Sequence, residues 1–399
     1  MGKLSTSAMV SALLLATAPL AAQTPGVTAD EIRIGQTMPY SGNASAYGVL
    51  GKAMQAYFEK LNRENGGING RKVKLLSVDD GYSPPKTLEQ TRRLVEQDNV
   101  LLIFGTLGTP TNTAIHKYLN GKRVPQLFVI SGATKWADPK NYPWTMPGMI
   151  SYQTEAAAYG HYLRATRPDA KVALLLQNDD FGKDYAAGFR RGLGDAAKTM
   201  IVAEVTYEHT DPTIDSQILS LKASGADALF SITTGKFSSQ MISRVHESGW
   251  QPREVFLPTS STSIKSILQP AGLDRAKGII SGSNAKLVAD PQWHDDAGMR
   301  EYLAFLKEYM PGHDPNDTIM VGGYNSAMLL ASVLKQCGDD LSRDSVLRQA
   351  TSIPNLVLPM LLPGIKVSTG PDDYLPYKAM RLQRFDGKSW QLFGDFISD

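Results

Sequence analysis

The sequence predicts an α/β protein built from two lobes, each a doubly wound parallel sheet covered by helices. Short apolar segments alternate with amphipathic ones over residues 32–130, and the same alternation begins again at residue 156. Such alternation with short connections is typical of parallel sheets that carry helices on both faces. A chain of 399 residues is long enough for two or three domains.

The first set of alternating segments defines the first lobe. Strands are predicted at residues 32–38, 73–78, 100–104 and 126–130, with helices at residues 47–62, 84–97 and 111–119. Ser83 and Pro84 mark the start of the second helix, because serine is a favourable N-cap and proline suits the first helical turn.

The second set has the same form. It contains predicted helices at residues 156–164, 182–198, 214–223 and 237–247, with strands at residues 171–176, 201–207 and 226–232. Two further helical stretches follow at residues 290–310 and 321–334, and residues 354–376 predict an irregular connection rich in proline and glycine. Apolar segments around Asp386-Gly387 predict a terminal hairpin.

The N-terminus has the pattern of a secretory signal peptide. Lys3 precedes an apolar run over residues 8–20, which is too short to span a bilayer and ends in Ala21-Ala22. We therefore expect residues 1–22 to be a signal peptide cleaved after Ala22, and the mature protein to be periplasmic.

Composition argues against several other classes of protein. The formal net charge is only +2 and no long basic block occurs, so we expect no nucleic-acid partner. Cys337 is the only cysteine, which excludes an internal disulfide, and the six histidines lack metal-ligand spacing. Since no phosphate loop, nucleophile elbow or dinucleotide motif is present, we expect no cofactor, no metal and no catalytic residue.

Polar loops of small residues follow four of the apolar segments, at residues 39–48, 106–113, 131–134 and 259–262. Ligands dock at the carboxyl ends of the strands in open parallel sheets. Hydroxyl groups and free N–H groups at a helix N-terminus can bind an anion there without a cationic side chain. Ordinary capping explains any one of these loops, but their recurrence predicts a shared binding site.

Ten motifs together resemble one known family over nearly the whole chain beyond the predicted signal. They are Ile32-x-Ile34-Gly35, Pro39-Tyr40-Ser41-Gly42, Tyr47-Gly48, Asn65-Gly66-Gly67-Ile68-Asn69-Gly70, Asp79-Asp80-Gly81-Tyr82, Pro85, Ser131-Gly132-Ala133-Thr134, Asp180-Phe181-Gly182, Leu221-Lys222 and Gly225-Ala226-Asp227. With these residues the chain resembles the branched-chain amino acid (Leu/Ile/Val) binding proteins of ABC importers, which have the type I periplasmic binding fold.

The resemblance implies a hinge of three chain segments between the lobes, near residues 147–151, 279–283 and 359–363. It assigns residues 27–148 plus 283–360 to lobe 1 and residues 149–282 plus 361–399 to lobe 2. It also implies a monomer that binds a small solute, closes around it and is recognised by the importer permease in the inner membrane.

The same resemblance implies a set of ligand contacts. The predicted contacts are Tyr47, Thr109, Gly132, Ala133, Thr134, Ser151, Phe181 and Ser260. Thr109 and the Ala133-Thr134 pair would hold the ligand carboxylate, while Tyr47 and Phe181 would pack against the ligand. Lys236 is a further candidate partner for an anion, with a solvated lysine as the alternative.

Two positions depart from the family pattern. Amino acid binders place acidic side chains against the ligand ammonium, but the matching positions here are Ile150 and Ser260. Because a buried ammonium without a counter-charge is costly, we expect a small organic carboxylate, namely an aromatic, keto or short aliphatic acid. Binding of a branched-chain or other hydrophobic amino acid, a role as a ligand sensor, and an enzyme on this scaffold are the alternatives.

Overall fold

The computed structural model describes Gly2 and residues 24–398. The signal-peptide prediction therefore lies outside the described residues, apart from Gly2, and stays a prediction. No helix in the described part of the chain combines the length and the apolar character needed to cross a membrane.

Lobe 1 is organised around a five-stranded sheet with the order β2-β1-β3-β4-β5. Its strands are β1 (Glu31–Met38), β2 (Lys72–Asp79), β3 (Leu102–Phe104), β4 (Gln126–Val129) and β5 (Thr145–Pro147). All neighbours pair in parallel. The last three strands are entirely buried, as expected for a parallel sheet covered on both faces.

Lobe 2 contains a seven-stranded sheet with the order β12-β11-β10-β9-β8-β6-β7. Its strands are β6 (Val172–Gln177), β7 (Ile201–Tyr207), β8 (Ala228–Ile232), β9 (Glu254–Phe256), β10 (Ile280–Ser283), β11 (Ala379–Phe385) and β12 (Trp390–Ser398). Strands β6 to β10 pair in parallel, in the same relative order as the five strands of lobe 1. β11 pairs antiparallel with both β10 and β12. The two-lobed α/β prediction is confirmed, and the terminal hairpin extends the second sheet.

Thirteen α-helices occur in the described residues. They are α1 (Gly48–Asn65), α2 (Pro84–Glu96), α3 (Thr109–Gly121), α4 (Tyr152–Thr166), α5 (Asp180–Leu193), α6 (Ala197–Met200), α7 (Asp215–Ala223), α8 (Lys236–Glu247), α9 (Gln269–Ala271), α10 (Leu273–Ala276), α11 (Ala297–Tyr309), α12 (Thr318–Gln336) and α13 (Arg343–Ala350). Ser83 is the N-cap residue of α2, as predicted, although its side chain makes no capping hydrogen bond. Asp179 caps α5 by accepting hydrogen bonds from the backbone N–H groups of Phe181 and Gly182.

Helices α11 and α12 return to lobe 1 and pack on α1. The ring of Tyr324 on α12 meets Tyr57 of α1 edge-on at 5.4 Å and Tyr302 of α11 at 5.2 Å. Gly323 permits the close approach of the helices, because a Cβ there would lie 2.5 Å from the backbone oxygen of Leu50. This packing places the start of α12 beside the cleft.

The irregular chain after Leu361 also contacts lobe 1. Tyr374 donates a hydrogen bond to the backbone oxygen of Pro143, and Thr369 donates one to that of Ala350. The chain then enters the lobe 2 sheet at Ala379. We call each passage of the chain from one lobe to the other a crossing. The lobe boundaries stay a prediction, and these contacts favour a third crossing close to residue 378 rather than at residues 359–363.

Candidate functional site

A cavity of about 210 Å³ lies between the lobes, at the carboxyl ends of their parallel strands. Both lobes contribute to its wall, together with the first crossing at Gly148, Met149 and Ile150 and the second at Gly282 and Ser283. This is the edge at which the loop pattern predicted a ligand site. The volume is below the range usual for drug-sized ligands, so the cavity suits a smaller molecule.

Most of the cavity wall is apolar or aromatic. The aromatic side chains in it are Tyr47, Tyr82, Tyr152, Phe181 and Tyr377. The aliphatic ones include Leu50, Leu107, Ile130, Ile150, Ile319 and Met380. Such a wall binds an apolar ligand body by removing its surface from water.

No acidic or basic side chain occurs among the described residues of this wall. Its polar groups are hydroxyls and amides, among them those of Thr109, Thr234, Ser260, Asn325 and Gln383. A charged ligand group in the cavity therefore has no charged side chain of the wall as its counter-ion. It can be stabilised only by hydrogen bonds and by helix dipoles.

Thr109 is placed by the turn between β3 and α3. Gly108 precedes it with a φ of +102°, and a Cβ there would lie 2.4 Å from the ring of Tyr82. The Thr109 hydroxyl is buried and lies 2.7 Å from the hydroxyl of Ser131, which also accepts a hydrogen bond from Trp136 Nε1. The threonine thus stands at the N-terminus of a thirteen-residue helix, where the helix dipole favours negative charge.

Direct contacts join the lobes next to the cavity. The backbone N–H of Gly235 in lobe 2 donates to the hydroxyl of Tyr47 at 2.9 Å, and Asn43 Nδ2 donates to the backbone oxygen of His209 at 3.0 Å. The rings of Tyr82 and His209 lie 4.4 Å apart across the cleft. The structure therefore represents the closed arrangement of the lobes.

A second set of contacts joins the lobes at the rim of the cleft. The backbone N–H and the hydroxyl of Thr134 both donate to the carboxylate of Asp184, each at 2.9 Å. Lys135 forms an ion pair with Asp180 at 2.6 Å. We call Thr134, Lys135, Asp180 and Asp184 the rim.

Four of the nine residues predicted to contact a ligand line the cavity: Tyr47, Thr109, Phe181 and Ser260. The cavity wall does not include the other five: Gly132, Ala133, Thr134, Ser151 and Lys236. The role of each of the nine as a ligand contact stays a prediction.

Local packing explains where those five residues lie. Gly132 backs onto the first crossing, since a Cβ there would lie 2.2 Å from the oxygen of Ile150. Thr134 belongs to the rim and Ala133 directly precedes it, whereas Ser151 is the buried N-cap residue of α4. The ammonium group of Lys236 donates to the backbone oxygens of Asp211 and Pro212, away from the cavity.

Sequence reasoning missed several residues of the wall. Tyr82 has a φ of +61° in the turn after β2, and its place in the Asp-Asp-Gly-Tyr motif was a usable signal. Asn325 lies within α12 and Gln383 within β11, where nothing in the local pattern marks a ligand site. Their place in the wall follows only from the way α12 and β11 approach the crossings.

One buried carboxyl group, that of Glu155, lies directly behind the wall. It accepts hydrogen bonds from the backbone N–H and hydroxyl of Thr259, and from the hydroxyls of Tyr159 and Tyr185. Burial raises its pKa above the ordinary value, while these donors oppose that shift. Since both oxygens are occupied, Glu155 positions the loop of Thr259 and offers no free oxygen to the cavity.

Comparison with known proteins identifies the family. A family model described as periplasmic binding protein matches residues 31–389. The chain belongs to the periplasmic binding protein family. Membership agrees with solute binding rather than catalysis, and it implies an extracytoplasmic location. Among the described residues, no cluster of histidine, cysteine or acidic side chains could hold a metal ion.

Relatives and solved structures agree with this assignment. A Leu/Ile/Val-binding protein homolog 7 of Brucella suis is 21% identical to this binding protein, over 82% of the chain and 80% of the relative. A branched-chain amino acid ABC transporter structure from Thermus thermophilus with bound valine superposes with a TM-score of 0.81, at 15% identity, and covers 93% of this chain and 97% of that one.

A further structure of the same fold holds a different ligand. It is an ABC transporter solute binding protein from Rhodopseudomonas palustris BisB5 in complex with 3,4-dihydroxybenzoic acid. Its TM-score is 0.76 at 19% identity, and the match covers 92% of this chain and 98% of that one. The fold shared by these proteins is thus compatible with ligands of different chemistry.

Proposed function

We propose that this chain is an extracytoplasmic solute-binding protein that closes around a small organic carboxylate and delivers it to an ABC importer. The observation that carries the proposal is that the wall of the interlobe cavity, as far as the chain is described, contains no charged side chain. An aromatic acid, a keto acid or a short aliphatic acid fits this wall better than an amino acid does.

The wall disfavours a ligand ammonium group. Ile150 and Ser260, where amino acid binders of this family would place acidic side chains, both line the cavity. Glu155 does not replace them, because its two oxygens already accept four hydrogen bonds. An ammonium group would lose its hydration here without gaining a counter-charge, which is unfavourable.

A carboxylate can be accommodated without a basic side chain. The Thr109 hydroxyl and the N-terminus of α3 offer hydrogen-bond donors and a favourable dipole at the cavity wall. The aromatic and aliphatic side chains around it suit an apolar ligand body. The dihydroxybenzoic acid bound by the Rhodopseudomonas protein is a precedent for such a ligand in this fold.

Binding is coupled to closure of the lobes in this proposal. The ligand docks on lobe 1 near Thr109, and Phe181 of lobe 2 covers it when the cleft closes. The closed state is then stabilised by the ligand's differential affinity for it. The permease recognises the closed monomer and receives the ligand.

Binding of branched-chain amino acids is the second candidate, favoured by the names of the Brucella and Thermus proteins. A thermal-shift and calorimetric screen distinguishes the two with matched pairs that differ only at the α-position. The pairs are leucine with 4-methyl-2-oxopentanoate and phenylalanine with phenylpyruvate, together with benzoate and short fatty acids. Binding of the acids alone supports the proposal, while binding of the amino acids alone contradicts it.

A further inference from the structure

Three residues of the cavity wall carry a buried side-chain oxygen that has no hydrogen-bond partner. These atoms are Ser260 Oγ, Asn325 Oδ1 and Gln383 Oε1. They come from a lobe 2 loop, from α12 and from β11. A buried acceptor without a donor is unfavourable and is rare in folded proteins, so its occurrence at a binding cavity points to a missing partner.

Gln383 is the most constrained of the three. The Nε2 atom of Gln383 donates to the backbone oxygen of Gly282 at 2.7 Å, and Gln383 is only 2% exposed. Exchanging the amide nitrogen and oxygen would bring two acceptor oxygens together, so the orientation of the amide is determined by chemistry. The Oε1 atom is therefore an acceptor that requires a donor.

Gln383 and Thr109 lie on different parts of the wall. Gln383 belongs to β11, opposite Ser281 on β10, and lies beside the second crossing. Thr109 belongs to lobe 1, at the start of α3. A ligand that satisfies both residues needs two polar groups, one of which accepts hydrogen bonds while the other donates one.

We infer that the ligand of this cavity carries a neutral hydrogen-bond donor, such as a hydroxyl group, that is bound by the side-chain oxygen of Gln383. The inference rests on the proposed function for the carboxylate, and it narrows the ligand to a hydroxylated small organic acid. The donor is neutral because the described wall contains no acidic side chain to balance an ammonium.

Matched ligands that differ by one hydroxyl group test the inference by isothermal titration calorimetry. The series are benzoate with its three monohydroxy derivatives, 4-methylpentanoate with its 2-hydroxy derivative, and toluene with phenol, in which a hydroxyl replaces a methyl group of similar size. At least one hydroxylated member is expected to bind about tenfold more tightly than its parent, since one buried acceptor gains its donor. Equal affinity throughout, or no binding by any member, overturns the inference.

Gln383→Met removes the acceptor at nearly constant side-chain volume. It is expected to reduce the hydroxyl preference to within about twofold. Gln240→Met is the matched control, because Gln240 also has a buried oxygen without a partner but lies outside the cavity wall. If Gln383→Met does not fold, Gln383→Asn takes its place, since it retracts the amide by one methylene group. A preference that survives loss of the acceptor contradicts the inference.

The toluene and phenol pair separates this inference from the proposed function. A preference for phenol without binding of any carboxylate contradicts the proposed carboxylate and retains the donor. Binding of carboxylates without a hydroxyl preference does the reverse.

Discussion

The rim and the interior of the cleft are built from opposite kinds of residue. At the rim, Lys135 and Asp180 form an ion pair, and Asp184 accepts two hydrogen bonds from Thr134. In the interior, the described wall has no charged side chain. Partly exposed ion pairs contribute little to affinity because water and salt screen them, whereas buried polar groups discriminate strongly. The rim is thus suited to closure and the interior to selection.

The largest expected effect comes from making the interior resemble the rim. Ser260→Asp places a carboxylate in the wall, so binding of organic acids should weaken about a hundredfold or more through repulsion. Calorimetry with the acids and with leucine measures the change, and leucine should gain affinity. Ser216→Asp, on the exposed start of α7, is the control and should change neither affinity. Unchanged acid binding by Ser260→Asp would remove that residue from the site.

A smaller effect is expected from removing one interior hydroxyl. Thr109→Val keeps the shape of the side chain and should weaken a carboxylate ligand about tenfold. Thr91→Val is matched to it, because Thr91 is also fully buried but lies on α2, outside the cavity wall. Calorimetry should show altered affinity only for Thr109→Val, and equal affinities for both variants would contradict a role in carboxylate binding.

A substitution at the rim should change ligand affinity less than one in the interior. Asp184→Asn weakens the hydrogen bonds from Thr134 and from Gln153, and should lower ligand affinity by only about threefold through a more populated open state. Small-angle scattering measures the open fraction without ligand. A loss as large as that of Ser260→Asp would show that the rim also contributes to selection.

The smallest effect near neutral pH is expected from protonation of two histidines, which should lower stability and ligand affinity on acidification. Burial lowers the pKa of His116 and of His209 to about 4, helped by Lys135 and by Lys236 respectively. The unfolded chain therefore takes up protons first on acidification, so stability is lost as the pH falls from about 6.5 towards 4.

Of these two histidines, only His209 contacts the opposite lobe, where its ring lies against Tyr82. Ligand affinity should fall over the same pH interval, because opening of the lobes exposes His209 and allows it to be protonated. His209→Phe should remove this loss of affinity, while His116→Phe should alter only the pH dependence of thermal unfolding. Calorimetry from pH 7 to pH 5 compares the variants, and identical pH profiles for wild type and His209→Phe would refute the coupling.

Sequence patterns predicted the strands that lie in longer apolar runs and missed those that do not. The apolar segments at residues 171–176, 201–207 and 226–232 predicted β6, β7 and β8. The sequence pattern predicted no strand at β5, β9 or β10, which are three or four residues long. The equally short β3 and β4 were predicted because each lies in an apolar run of four or five residues. β5, β9 and β10 lack such a run, and they form because neighbouring strands supply their hydrogen bonds.

The site was predicted in the same uneven way. Tyr47, Thr109, Phe181 and Ser260 line the cavity, and all four belong to loops or helix starts that follow strands in the chain. The adjacent loop at residues 131–134 has the same character, yet it lies between the rim and the first crossing. Local sequence marks a strand end, but it does not tell which side of the cleft the loop faces.

The sequence by itself determined the family, the two alternating sets of strands and helices, and the lack of acidic residues at Ile150 and Ser260. These depend on residue type and spacing along the chain. Only the tertiary structure decided that no charged side chain of the described residues lines the cavity, and that Gln383 and Asn325 do line it. Those properties depend on how α12 and the terminal hairpin pack against the crossings, which brings together residues that are distant in sequence.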